Sequence, residues 1–175
     1  MRFAACCFLL TILIGGPALR PVHADDKMTY AGSSTSKFVN LPGLPTCMKA
    51  SVQNGDPSKG SSVILAKTVT GCTIPWHWHT ANEQLMVVAG NAKVSMKEGP
   101  PATVHAGDYL SLPGKNAHQF SCVAACTLFI VPDGAFDIHY VDASGKEISP
   151  EEALKSKAKT PAKKAADKDM KDMKM

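Results

Sequence analysis

The sequence predicts an all-β fold in a single domain, and three observations support this. Between about residues 38 and 148, short runs of β-branched and aliphatic residues alternate with glycine and proline, a pattern typical of a sandwich or barrel of short strands. No segment before Glu151 has the apolar period of an amphipathic helix. A stretch of about 110 residues can bury one hydrophobic core but not two, and the chain contains no internal repeat.

Residues 1–24 are predicted to be a secretory signal peptide. Arg2 gives a weakly positive start, and Ala4 to Ile14 form an apolar run that is too short to span a bilayer as a helix. A signal-peptide cleavage site has small residues at its −3 and −1 positions. Cleavage after Ala24 would place Val22 and Ala24 there. A lipoprotein leader is not expected, since most of the apolar run follows Cys6 and Cys7 instead of preceding them. The length also disfavours the alternative of an uncleaved anchor, so we expect an exported protein, periplasmic or secreted, without a transmembrane segment.

A flexible N-terminal segment is expected at residues 25–37, followed by a domain at residues 38–148 with eight strands. The strands are predicted near Ser61–Thr70, Pro75–His79, Glu83–Ala89, Ala92–Lys97, Asp108–Leu112, Ala117–Ser121, Thr127–Val131 and Ile138–Val141.

Residues 71–90 contain the most informative pattern in the chain, G-x5-H-x-H-x3-E-x6-G. Alternate side chains of a strand share a face, so His77 and His79 point the same way, roughly 6.6 Å apart. The three residues that follow can turn the chain, so that Glu83 opens a neighbouring strand. Two imidazoles and a carboxylate that converge on one point are typical of a site for a divalent transition metal.

A second pattern lies downstream, and the two together resemble the signatures of the cupin superfamily. The second cupin signature is G-x5-P-x-G-x2-H-x3-N, and the chain matches it at Gly107, Pro113 and His118. Lys115 replaces its second glycine and Cys122 replaces its final asparagine. Because glycine adopts positive φ without steric cost, the glycine that precedes Lys115 is expected to supply the turn geometry.

The resemblance implies a single cupin domain, a double-stranded β-helix or jelly-roll barrel, with one metal held by His77, His79, Glu83 and His118. In this family such sites hold Fe, Mn, Ni, Cu or Zn, so a divalent transition metal is the expected cofactor. Cupins of this size often dimerise by lending an N-terminal strand. The segment from Lys37 to Cys47 could play that part, which makes a homodimer one possible assembly.

Strand alternation predicts that the metal site lies in a pocket with apolar walls. If the donors face inward, then Leu85, Val87 and Phe120 share that face. Trp76 and Trp78 then face the other way, where they are expected to pack under the N-terminal segment.

Four cysteines remain after removal of the leader, and an oxidising compartment favours disulfides between them. Cys122 and Cys126 flank a possible three-residue hairpin loop, and directly opposed positions of such a hairpin lie within disulfide range. By elimination, Cys47 would join Cys72. Two rival pairings remain open, and so does a free Cys122 thiol that faces the metal.

Residues 149–175 are predicted to be a disordered tail rich in lysine, alanine and methionine, since they show no periodic apolar face. Alternative roles are attraction to an anionic envelope surface or weak capture of Cu(I) by its methionines. The formal charge of +4 comes from the leader and this tail, because residues 25–150 contain ten acidic side chains and nine lysines. A nucleic-acid partner is therefore not expected.

Two functions from different classes fit these observations. One is an exported metal-binding or sensing module without turnover, and the other is a dioxygenase-type oxidoreductase acting on a small organic molecule. No arginine follows the leader, so the bidentate clamp common for carboxylate or phosphate substrates is missing. This favours a metal-binding domain of undefined activity, with a small-molecule ligand and with no catalytic residue assigned.

Overall fold

The computed structural model describes residues 28–155. The predicted signal peptide and residues 156–175 of the predicted tail lie outside the described residues. The chain divides between Tyr30 and Ala31, and every element below belongs to the second unit. Between residues 28 and 155, no helix has the length and apolar composition needed to cross a bilayer.

The described residues form short strands and one short helix, in keeping with the predicted all-β class. In chain order the elements are β1 Met48–Gly55, β2 Ser62–Thr68, β3 Thr73–Trp78, β4 Glu83–Ala89, β5 Asn91–Met96, β6 Ala102–His105, β7 Tyr109–Leu112, β8 His118–Cys122, β9 Thr127–Pro132, β10 His139–Val141, β11 Glu147–Ile148 and α1 Pro150–Lys155.

The strands form two antiparallel sheets that enclose one core. The first sheet has the order β1-β2-β9-β4-β7, and the second has the order β11-β10-β3-β8-β5-β6. Buried side chains of both sheets share a single hydrophobic cluster, with Ile64 and Leu128 from the first sheet and Ile74 and Phe120 from the second. This arrangement confirms the predicted fold class.

Strand alternation correctly predicted which side chains are buried near the donors. Leu85, Val87 and Phe120 are all in the core, whereas both tryptophans of β3 are partly exposed. Trp78 stacks on His139 of β10, with ring centroids 3.9 Å apart and planes 5° from parallel. Its stacking partner therefore comes from a neighbouring strand of the same sheet.

The C-terminal boundary of the domain was predicted too early. Helix α1 occupies the first part of the segment predicted to be disordered, and Ala153 is buried in the core. Ser149 accepts a hydrogen bond from the backbone N–H of Glu152 at 3.2 Å, which is the start signal of a capped helix. Acidic residues in the first turn and Lys155 in the last complement the helix dipole.

One predicted cysteine pair is joined in the structure. Cys47, just before β1, forms a disulfide with Cys72, just before β3, with their Cα atoms 5.5 Å apart. The bridge fastens the start of the domain to the turn between β2 and β3. The same turn is also held by a hydrogen bond from the N–H of Val69 to the carbonyl of Cys47.

The predicted Cys122–Cys126 disulfide is absent, and both cysteines are buried free thiols. The prediction assumed a hairpin, but β8 belongs to the second sheet and β9 to the first, so the two cysteines are not opposed across a strand pair. The Thr68 hydroxyl bonds the Cys122 sulfur at 2.9 Å, and the Cys126 thiol donates to the carbonyl of Asn91 at 3.1 Å. Burial raises the pKa of Cys122 to about 12, which leaves this thiol uncharged and a poor nucleophile.

Candidate metal centre

The structure brings three of the predicted donor side chains together at one end of the core. His77 lies in β3 and faces His118, its direct cross-strand partner in β8, while His79 follows β3 immediately. All three imidazoles are buried, and each offers a nitrogen within 4.8 Å of a nitrogen of the others. Ring centroids are 4.3 Å apart for His77 and His118, and 4.9 Å apart for His77 and His79.

Backbone carbonyl groups fix the orientation of the three imidazoles. Nδ1 of His77 contacts the carbonyl of Pro75 at 2.6 Å, and Nδ1 of His118 contacts that of Asn116 at 3.1 Å. Nδ1 of His79 is bonded to the carbonyl of Asp137. A carbonyl only accepts, so each Nδ1 carries a proton, and in a neutral imidazole Nε2 is then the nitrogen with the free lone pair. This is the tautomer that a metal-binding histidine needs.

Glu83 completes the candidate donor set from the opposite sheet. It is the first residue of β4 and is buried, with its Oε2 3.7 Å from Nε2 of His79 and 3.6 Å from Nε2 of His118. A carboxylate removed from water is costly unless a cation accompanies it. The side chains present therefore suit a divalent metal, with imidazole and carboxylate ligands that match Fe, Mn, Ni, Cu or Zn.

The electrostatics of the cluster favour neutral imidazole at His77. Burial is the main cause, and the nearby His118 and His79 add to it, so that the pKa of His77 lies well below its usual value. A neutral imidazole is the form that binds a metal. His77 is accordingly ready to act as a ligand at neutral pH without first losing a proton.

The turn before His118 differs from the one predicted. Lys115 itself adopts the positive φ of 60°, at the position where the cupin signature has its second glycine. Gly114 does not supply the positive φ. A glycine is needed there because a Cβ would lie 2.6 Å from the carbonyl oxygen of Thr80. The N–H of Lys115 donates to the carbonyl of His79 at 2.7 Å, so the strained turn connects two of the candidate donors.

Asn82 joins three loops that lie next to the candidate donors in the chain. Its N–H and side-chain amide both donate to the carboxylate of Asp133, at 2.9 and 2.6 Å. Its side-chain oxygen accepts from the N–H of Gly114 at 2.9 Å. The loop that carries His79, the loop before His118 and the start of the β9–β10 connection are therefore held in one arrangement.

Asp137 is a contributor that the sequence did not reveal. Its carbonyl orients His79, while its carboxylate accepts from the N–H of Thr80 at 2.8 Å and lies 3.3 Å from Nε2 of His139. Burial opposes ionisation of Asp137, but the bonds from Thr80 and then the contact with His139 outweigh it, so its pKa is lowered. No local motif marks this residue, because 58 positions separate it from His79.

We predict that Asp137→Ala weakens metal binding by roughly tenfold, the range seen when the hydrogen-bond partner of a ligand is lost. The substitution frees the backbone whose carbonyl orients His79. Competition with a chelator of known affinity measures the effect. Asp142→Ala is the matched control, since Asp142 also binds backbone N–H groups, those of Ser144 and Lys146. Equal metal affinity in the two variants would contradict the prediction.

The cavity beside the donors is small and apolar. Its volume is about 30 Å³. Among the residues that the structure describes, the four candidate donors and eight apolar side chains line it, including Leu44, Met48 and Phe136. Phe136 packs beside His79, with ring centroids 5.1 Å apart. The predicted apolar pocket is thus present, and Phe136 is a further wall residue that sequence reasoning missed.

Comparisons with known proteins agree with this geometry. The family model for the cupin domain matches residues 65–132, which include all four candidate donors. The polyketide cyclase RemF of Streptomyces resistomycificus aligns with a TM-score of 0.62 and 15% identity, over 77% of this chain and 95% of that one. A protein from Methylibium petroleiphilum, described as a possible acetylacetone dioxygenase, aligns with a TM-score of 0.57 and 16% identity, over 72% and 89% of the two chains.

An RmlC-like cupin of Shewanella frigidimarina aligns with a TM-score of 0.53 and 16% identity, over 62% of this chain and 92% of that one. No curated protein matches the sequence. The fold and the buried histidine cluster define a two-sheet β-barrel with a candidate metal centre. Residues 65–132 of the chain form a cupin domain.

Proposed function

We propose that this chain is an exported metal-binding cupin in which His77, His79, Glu83 and His118 hold one divalent transition metal. The observation that carries the proposal is the orientation of the three imidazoles: every Nδ1 is bonded to a backbone carbonyl, so every Nε2 is free to bind. The Glu83 carboxylate, within 3.7 Å of two of these nitrogens, supplies negative charge. A bound divalent metal would supply a Lewis acid with positions left open for a small ligand.

Two observations support export. The leader has the features of a cleavable signal peptide, and the Cys47–Cys72 disulfide is typical of an oxidising compartment. A periplasmic or secreted location follows as part of the proposal. Mass spectrometry of the mature N-terminus, with cleavage expected after Ala24, tests it.

A second candidate is a dioxygenase-type oxidoreductase that acts on a small organic molecule. The apolar pocket next to the donors favours it, because open metal positions in a dry pocket suit oxygen chemistry. The fold relatives include proteins described as a cyclase and a possible dioxygenase, but at 15–16% identity this likeness supports the fold alone. Oxygen consumption with small phenols, diketones or thiols would distinguish turnover from silent binding.

The proposed metal site is tested by elemental analysis after loading with each candidate metal. We expect about one metal per chain in the wild type. In His79→Ala and His118→Ala, we expect affinity to fall by more than the roughly 10- to 100-fold that loss of an outer-shell partner causes. His105→Ala is the control, because His105 is an exposed histidine at the end of β6. Equal metal content in all four proteins would refute the proposed function.

A further inference from the structure

Phe136 occupies a distinctive place in the wall of the pocket. Among the residues that line the pocket, all within the described part of the chain, Phe136 alone is partly exposed and the rest are buried. It is therefore the lining residue that contacts both the cavity and the solvent. Its ring packs beside the imidazole of His79, with 34° between the two planes. A ligand bound at an open metal position beside His79 would therefore lie close to this ring.

The loop that carries Phe136 is tied down on both sides of the ring. The N–H of Phe136 donates to the carbonyl of Pro57 at 2.7 Å. Before it, Asp133 binds Asn82 through both carboxylate oxygens, and after it, Asp137 accepts from the N–H of Thr80. These bonds run to different parts of the structure, so the backbone that carries the ring is held in place by the fold.

The volume of the pocket limits what it can accept. About 30 Å³ corresponds to two or three water-sized positions, since one water needs roughly 10–15 Å³. A metal with one small ligand fills this space. A ring of five or six atoms does not fit unless Phe136 moves.

The chemistry of the walls points in the same direction. Apart from the four candidate donors, the wall side chains are apolar. A polar organic substrate would lose its hydrogen bonds to water and find no replacement there. Within residues 28–155, neither lysine nor arginine lines the cavity to bind a carboxylate. A ligand that binds the metal directly through one end needs no such partner.

We propose that Phe136 acts as a size filter, restricting the site to ligands of two or three non-hydrogen atoms, of the size of dioxygen or azide, and excluding ring-sized organic molecules. This inference rests on the proposed function, because it presumes a bound metal. It narrows the ligand class and assigns Phe136 as the residue that determines specificity.

The test uses the full chain loaded with Cu²⁺, with azide and imidazole as the small and the ring-sized probe. Visible absorption and electron paramagnetic resonance report binding of either probe at the metal. We expect azide to change the spectra of the wild type and imidazole to leave them unchanged. In Phe136→Ala, the apparent affinity for imidazole should rise by roughly tenfold or more, while azide still binds.

Phe129→Ala is the matched control, because Phe129 is a partly exposed phenylalanine of β9 whose neighbours Leu128 and Ile130 face the pocket. It should behave like the wild type towards both probes. Phe136→Leu provides a milder variant in case the alanine protein fails to fold, and it should admit imidazole more readily than the wild type does.

The possible outcomes separate this inference from the proposed function. Normal copper content together with equal binding of imidazole and azide by the wild type would overturn the size filter alone. So would an unchanged imidazole affinity in both Phe136 variants, or a wild type that binds neither probe. Absence of stoichiometric copper before any probe is added would overturn the proposed function and the filter with it.

Discussion

Gly90→Ala is expected to unfold the domain or to lower its free energy of unfolding by more than about 4 kcal/mol, a loss that requires a specific structural cause. A Cβ at this position would lie 2.1 Å from the carbonyl oxygen of Ala125 and 2.9 Å from Cα of Cys126. Both atoms belong to the backbone, so the connection between β8 and β9 would have to move. The φ of 84° adds a second cost, about 1–2 kcal/mol for a residue with a side chain.

Gly71→Ala is the matched control, because Gly71 is the other terminal glycine of the first motif. Its φ is 75°, but a Cβ there would meet open space. We therefore expect only the conformational cost, about 1–2 kcal/mol. Urea unfolding at equal protein concentration compares the variants through their midpoints and slopes. Similar losses of unfolding free energy in the two variants would contradict the prediction. They would show that the close approach of the Ala125 backbone is not the reason for a glycine at position 90.

Local patterns were sufficient to predict the strands that carry the donors. In β4 buried side chains alternate with partly exposed ones from Glu83 to Val87, and the predicted bounds, Glu83–Ala89, are those observed. The same alternation placed His77 and His118 on inward faces, and their cross-strand pairing brings them together. β1 was missed because Met48–Gly55 mixes polar and apolar residues, and a register shift between Val52 and Asn54 breaks its alternation.

Features that depend on distant parts of the chain could not be predicted. Cys122 and Cys126 were assigned to a hairpin because only their separation is visible in the sequence, whereas the exchange of sheets between β8 and β9 depends on the whole topology. Asp137 acts on His79 through its backbone carbonyl, and a carbonyl has no sequence signature. The positive φ of Lys115 is a local strain that the surrounding bonds impose.

Removal of the Cys47–Cys72 disulfide by Cys47→Ala/Cys72→Ala is expected to lower the free energy of unfolding by about 3 kcal/mol in the chain-entropy model. The two cysteines are 25 positions apart and enclose β1 and β2, so the bridge restricts a long segment of the unfolded chain. Urea unfolding with and without a reductant provides the measurement. The wild type should lose this stability on reduction, and the double variant should be insensitive to the reductant.

Cys122→Ala/Cys126→Ala is the control that also tests the correction to the predicted disulfides. Both thiols are free and buried, so this variant should lose some packing energy but respond to the reductant as strongly as the wild type does. A smaller response would mean that a bond between Cys122 and Cys126 contributes to the stability of the oxidised protein. No response in the wild type would mean that the Cys47–Cys72 bridge adds nothing. We expect the whole loss of stability on reduction to come from breaking the Cys47–Cys72 disulfide.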